Sequence, residues 1–259
     1  MNRLDASGPM EPDSSLGWRF PLRRVGFDET AQLVRESVAP FVAAPFRLTW
    51  MFFMLWVAVQ ALVLVPTLGQ FLIEMAAAVA FTGYTAALDA AARSEPPDLR
   101  HLAIVARFDR DKLILLVLTG LLPVLFAVLV LYAVWGLQET ARFLDALGSP
   151  DGHPSARLVW HFQAAKYIAS MPFTFAAPVW ALYHWSGSRS MAANLLASLV
   201  NWRWVLVMTG FEALVSEGLV RLQDQGGDFL ALSAVLGVAL DALTVSWTLA
   251  LAKRSFPSR

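Results

Sequence analysis

Residues 113–136 read LILLVLTGLLPVLFAVLVLYAVWG, 24 residues without a charge. At a rise of 1.5 Å per residue, such a helix is about 36 Å long and crosses the hydrocarbon core of a bilayer. Five further stretches carry the same signature: 46–66, 70–90, 162–185, 202–222 and 229–252. The second and fifth of the six are weaker because they contain acids. Only 15% of the chain is charged, against about 25% in soluble domains. That is too little polar surface to coat a water-soluble fold of this size, and lipid as the outer solvent removes the shortage. The reading is an all-α membrane protein, a six-transmembrane-helix bundle.

Basic residues set the expected orientation. If the N-terminus is cytoplasmic, 16 of the 20 Lys and Arg fall on the cytoplasmic side, and only Arg142, Arg157, Lys166 and Arg221 fall elsewhere. Both termini are therefore expected inside. Residues 1–25 are polar with no apolar core, so they read as a flexible cytoplasmic arm, not as a cleaved signal. Residues 26–259 form one transmembrane domain, its first apolar helix acting as an uncleaved insertion signal. Trp50, Trp135, Trp160, Trp185, Trp202 and Trp204 fall near expected helix ends, where an indole buries its ring and keeps its N–H wet.

Three stretches between spans are helical in pattern but too polar to cross: 28–43, 98–110 and 189–201. Ala31, Val34, Val38 and Phe41 share a face of the first. Leu99, Leu102, Val105 and Ala106 group on the second, and Met191, Ala192, Leu195 and Leu199 on the third. Each precedes an outward span, which suggests a threefold repeat over 28–92, 97–185 and 189–253. The alternative is three ordinary amphipathic linkers. Basic interfacial helices suit an anionic inner leaflet.

Ionisable residues inside spans are costly and are functional candidates. Glu212 and Asp241 both fall near the midplane, on consecutive antiparallel spans, where two carboxylates could share a proton or bind a cation. The structural alternative is a protonated acid bonded to Thr209, Thr244 or Ser246. Lys166, Glu217 and Glu74 form a second set, expected nearer the outer edge, with Lys166–Glu217 or Lys166–Glu74 as an ion pair. Gln60 is placed to bond between helices. Pro172 and Pro178 are expected to kink the fourth span.

Net charge is zero, which argues against an electrostatic nucleic-acid binder. Cysteine is absent, which removes disulfides and thiolate chemistry. HExxH, GxSxG, GxGxxG and the phosphate-loop pattern are all missing. The four histidines show no ligand spacing, so no metal or other cofactor is expected.

The stretch 175–207 carries Phe175 and Pro178, then Ser198, then Asn201 and Trp202. Upstream, Pro45 and Trp50 follow an amphipathic helix, and Pro66 and Gly69 mark a hairpin. With these residues the chain resembles an uncharacterised family of proteobacterial six-span inner-membrane proteins, loosely YciC-like. The resemblance implies six spans in a bacterial inner membrane and no defined activity. Locally, Asn201 reads as a helix terminator in the left-handed conformation, Trp202 and Trp204 as interfacial anchors, and Arg203 as a phosphate contact. Missing catalytic motifs, short loops and basic amphipathic helices point to a non-enzymatic component that binds a protein partner or anionic lipid. The rival reading is a small proton- or cation-coupled transporter or channel using Glu212 and Asp241.

Overall fold

The computed structural model describes residues 20–65, 68–147, 149, 152, 154–223 and 228–256. Regular structure among them is entirely helical, with no strand. A helix satisfies its backbone polar groups internally, as a nonpolar solvent requires. Four helical segments are long and apolar enough to cross a membrane: Pro45–Leu64, Phe71–Ala92, Arg110–Leu147 and Ala231–Ser255. They mark a membrane-embedded, multi-pass protein. The segments correspond to α2 (Pro45–Gln60) with a terminal 3-10 turn, most of α3 (Gly69–Ala92), α5 (Arg110–Leu147) and most of α10 (Asp228–Ser255).

The expected fourth and fifth crossings do not meet that standard alone. The fourth is divided into α6 (Ala156–Ser170), a 3-10 turn at Met171–Phe173, and α7 (Ala176–Leu182). Pro172 and Pro178 account for the division, since each removes an amide donor from the ladder. The Pro172 carbonyl accepts from Asn194 Nδ2 at 2.9 Å and from Ser198 Oγ at 3.1 Å. Both donors lie on α8 (Gly187–Val200), which meets α9 (Trp202–Gln223) at a bend. Gly187–Val200 and Trp202–Leu219 count as a fifth candidate span only as a pair bent by 88°. Glu212 and Glu217 keep α9 alone from being apolar enough.

Between the spans read at 113–136 and 162–185, most of the chain is also helical: α5 runs to Leu147 and α6 opens at Ala156. Gly136 redirects the chain within α5, at φ 80° and ψ 170°. That conformation is essentially restricted to glycine and would cost an L-residue about 1–3 kcal/mol. Beyond it the helix folds onto α6, where Phe143 and Phe162 sit 5.4 Å apart, ring centre to ring centre.

All three expected surface stretches contain helix: α1 (Thr30–Ala43), α4 (Leu99–Leu102) with a following 3-10 turn, and α8. The face that α1 and α8 each bury in the bundle is distinct from the apolar face read in the sequence. In α1, Leu33, Ser37 and Pro40 are buried while Val34 and Val38 are exposed. In the second stretch Val105 is buried but Leu99 and Ala106 are exposed, because the α-helix tightens to 3-10 after Leu102. In α8, Ser190, Ala193, Asn194 and Ala197 turn inward, and Leu195 and Leu199 turn outward. Packing of small residues inward and large apolar ones outward is the membrane arrangement.

Residues 20–25 belong to the expected flexible arm, but they form an extended strap across the base of the bundle. Arg23 N–H donates to Ser255 O at 2.8 Å, and Val25 N–H donates to Asn201 Oδ1 at 2.8 Å. Asn201 is not left-handed, with φ −104°. Its side chain is needed as a bridge: Nδ2 donates to Ser255 Oγ at 3.0 Å and to Ala197 O at 3.2 Å. Trp204 is buried and is no interfacial anchor, because its Nε1–H reaches Val25 O at 3.2 Å. Trp202, Trp50 and Trp160 are exposed. Arg254 pairs with Glu36 at 2.7 Å and also with Glu29, and Lys253 meets Asp89 at 2.6 Å. Burial pushes the Glu29 carboxyl up, but the Gly26 N–H with Arg254 and Arg23 holds it below the usual range.

Candidate functional site

Four helices bring ionisable side chains to one interior region. Glu74 lies early on α3, Lys166 on α6, Glu212 halfway along α9 and Asp241 halfway along α10. The helix α6 starts six residues earlier than expected, so Lys166 sits ten residues into it. That is about 15 Å along the axis from the start of α6.

Lys166 Nζ meets Glu74 Oε1 at 2.7 Å. Both side chains are mostly buried, at 18% and 23% exposure. The close approach of α3 and α5 frames this pair. A Cβ on Gly120 would lie 2.2 Å from Glu74 O, so only glycine permits the crossing at this depth. Beside Lys166, the Tyr167 hydroxyl and Ser216 Oγ are 2.6 Å apart and tie α6 to α9.

Two adjoining cavities, of about 240 and 370 Å³, reach these groups. Glu74, Glu212 and Asp241 line both, and Lys166 and Tyr167 line the larger. Thr119, Ser170 and Thr244 supply hydroxyls to both walls. Glu212 lies within electrostatic reach of Asp241 and of Lys166. Among the described residues, no hydrogen bond or ion pair to protein engages the carboxylate of Glu212 or Asp241.

The other expectations divide. Glu217 lies outside the cavity, exposed and paired with Arg221 of its own helix at 2.8 Å, so the pair to Lys166 is made by Glu74. Ser246 does not serve Asp241; its hydroxyl donates to Ser37 O at 2.6 Å and secures α1. Thr209 and Thr244 line the cavity, as does Gln60. No group of three or more His, Asp or Glu among the described residues is arranged to hold a metal ion.

The motif residues serve packing. Pro45 opens α2, Gly69 opens α3, and Phe175 and Pro178 are buried at the entry to α7. Ser198 and Asn201 make the bonds given above. Pro66 lies outside the described residues. Sequence reasoning missed Tyr167, Ser170 and Gly120. The Lys-Tyr dipeptide was the available signal for Tyr167, and the others had none. No protein-family model, curated protein or solved structure matches the chain.

Proposed function

We propose that this protein is a small proton- or cation-coupled transporter or channel, acting through the cavity that joins Glu74, Lys166, Glu212 and Asp241. The supporting observation is that both midplane carboxylates line a cavity and lack protein partners among the described residues. An acid retained only for packing would be bonded to a hydroxyl or carbonyl, whereas Glu212 is half-buried and Asp241 exposed, both facing the cavity. The reading is non-enzymatic. It places the chain in a bacterial inner membrane, with six crossings, both termini cytoplasmic and the threefold order of surface helix and hairpin. In this reading α6 with α7, and α8 with α9, supply the crossings that are broken or bent. The YciC-like resemblance is part of the proposal and rests on the motif residues alone.

A second reading, binding of anionic lipid or a membrane partner, has its own support. The outward faces of α1 and α8 carry Val34, Val38, Leu195 and Leu199 beside Arg35 and Arg189. Such faces suit an anionic bilayer surface.

The transport reading is tested in vesicles containing the purified protein and an internal pH dye. A pH gradient is imposed with sodium, potassium and an organic ammonium salt on both sides. The expected result is gradient collapse faster than in protein-free vesicles, lost in Glu212→Gln and in Asp241→Asn. Collapse no faster than in protein-free vesicles contradicts it.

A further inference from the structure

We infer that the cavity takes a small organic ammonium ion in exchange for a proton, with Glu212 and Asp241 as the shared anionic site. This rests on the transport reading above and specifies its substrate class.

The first ground is charge. Glu74 has its counter-charge in Lys166 at 2.7 Å. Glu212 and Asp241 have none within ion-pair distance among the described residues. Glu212 is half-buried and Asp241 is exposed to the space around it, and two carboxylates facing one cavity inside a bilayer cannot both stay ionised without compensation. The site must therefore hold protons or a cation. A monovalent cation that enters as one proton leaves keeps the site charge constant, so cation and proton compete directly.

Facing the site are Glu74 from α3, Lys166 and Tyr167 from α6, Glu212 from α9 and Asp241 from α10. From α2 come Trp56 and Gln60, and α5 contributes no ionisable side chain to the lining. The exchangeable charge is thus confined to Glu212 and Asp241, while Lys166 stays engaged with Glu74.

The second ground is the wall. A divalent cation such as calcium or magnesium requires about six converging oxygens, and no group of three or more His, Asp or Glu among the described residues is arranged for one. The lining instead includes Trp56, Phe81, Phe173 and Phe211 with several alanines. Aromatic faces near carboxylates attract an ammonium carried on an apolar body. The larger cavity, about 370 Å³, falls in the size range of small-molecule sites, roughly 300–1,000 Å³. A bare proton would need no such space.

The test uses the full-length protein in detergent and benzyltrimethylammonium chloride as the probe. Its charge is permanent, so any proton released on binding comes from the protein. Calorimetry reads binding, and an indicator dye in weak buffer reads proton release. Saturable binding with release of a proton is expected, and affinity should fall about tenfold per pH unit on the acidic side of the transition. Glu212→Gln should abolish the release, and Glu217→Gln, outside the cavity, should behave as wild type. Should Glu212→Gln fail to fold, Asp241→Asn and the wild-type pH dependence carry the test. Saturable binding and proton release with sodium but not the organic cation would overturn the substrate class and leave transport standing. Organic-cation binding without proton release would overturn exchange. Binding of neither ion overturns the inference, and the vesicle assay then decides the transport reading by itself.

Discussion

Lys166→Met is expected to destabilise the protein by about 3 kcal/mol, because removing one member of a buried ion pair leaves the other charge in a nonpolar interior. Lys166 and Glu74 are both mostly buried and bridge α6 to α3 at 2.7 Å. Methionine keeps the length and the apolar stem but removes the ammonium from beside Glu74. The measurement is the denaturation midpoint in detergent for Lys166→Met, Glu74→Gln and the double variant. The double variant should recover much of the loss, since neither residue then carries a charge. A coupling energy of about 2 kcal/mol or more is expected for residues in direct contact. Strictly additive losses would show that the pair is incidental to the fold.

Asn201→Ala should have the second largest effect, about 2 kcal/mol, because it strands several buried groups at once. The Asn201 amide accepts from Val25 N–H and donates to Ser255 Oγ and Ala197 O. It thereby joins the strap, the end of α8 and the end of α10. Alanine removes every one of these bonds. Val25 is itself buried, so its amide would lose its acceptor with no water at hand. The strap should then detach first, exposing Arg23 and Arg24 to trypsin well below the global transition. Asn201→Asp keeps the acceptor for Val25 and should fall between the two. If trypsin cuts wild type and Asn201→Ala at equal rates, the strap is not held by Asn201.

These two residues show what could be read in advance. Long apolar runs gave the helices, because a 24-residue uncharged stretch has few options in any solvent. The Lys166–Glu74 pair was readable as one of two choices, since opposite charges at similar depth on neighbouring helices tend to meet. The place of Lys166 ten residues into α6 was not. The start of α6 at Ala156 falls in a segment whose polar residues, Arg157, His161 and Gln163, resemble a loop. Asn201 drew notice as a helix terminator, but its bonding partners lie 176 and 54 residues away, at Val25 and Ser255. No local pattern reports contacts of that kind. The direction in which the apolar stripes of α1 and α8 point was not legible, for a physical reason. Helical periodicity locates an apolar stripe, but whether the stripe faces protein or lipid depends on the surroundings. Glu212 and Asp241 were singled out by depth alone. Their convergence on one cavity depends on helix rotation, which spacing along one helix does not fix.

Transport requires that water and ions reach Glu212 and Asp241 within the membrane. The chain has no cysteine, so a single Ser170→Cys is a specific reporter on the wall of both cavities. The most direct measurement is its reaction, in membrane vesicles, with a charged and membrane-impermeant thiol reagent, with Leu214→Cys on the exposed apolar face of α9 as the lipid-facing reference. The account predicts that Ser170→Cys is labelled, that benzyltrimethylammonium slows the labelling, and that Leu214→Cys stays unlabelled. Ser170→Cys as inert as Leu214→Cys would mean a cavity dry in the bilayer, and it would contradict a transport role for Glu212 and Asp241.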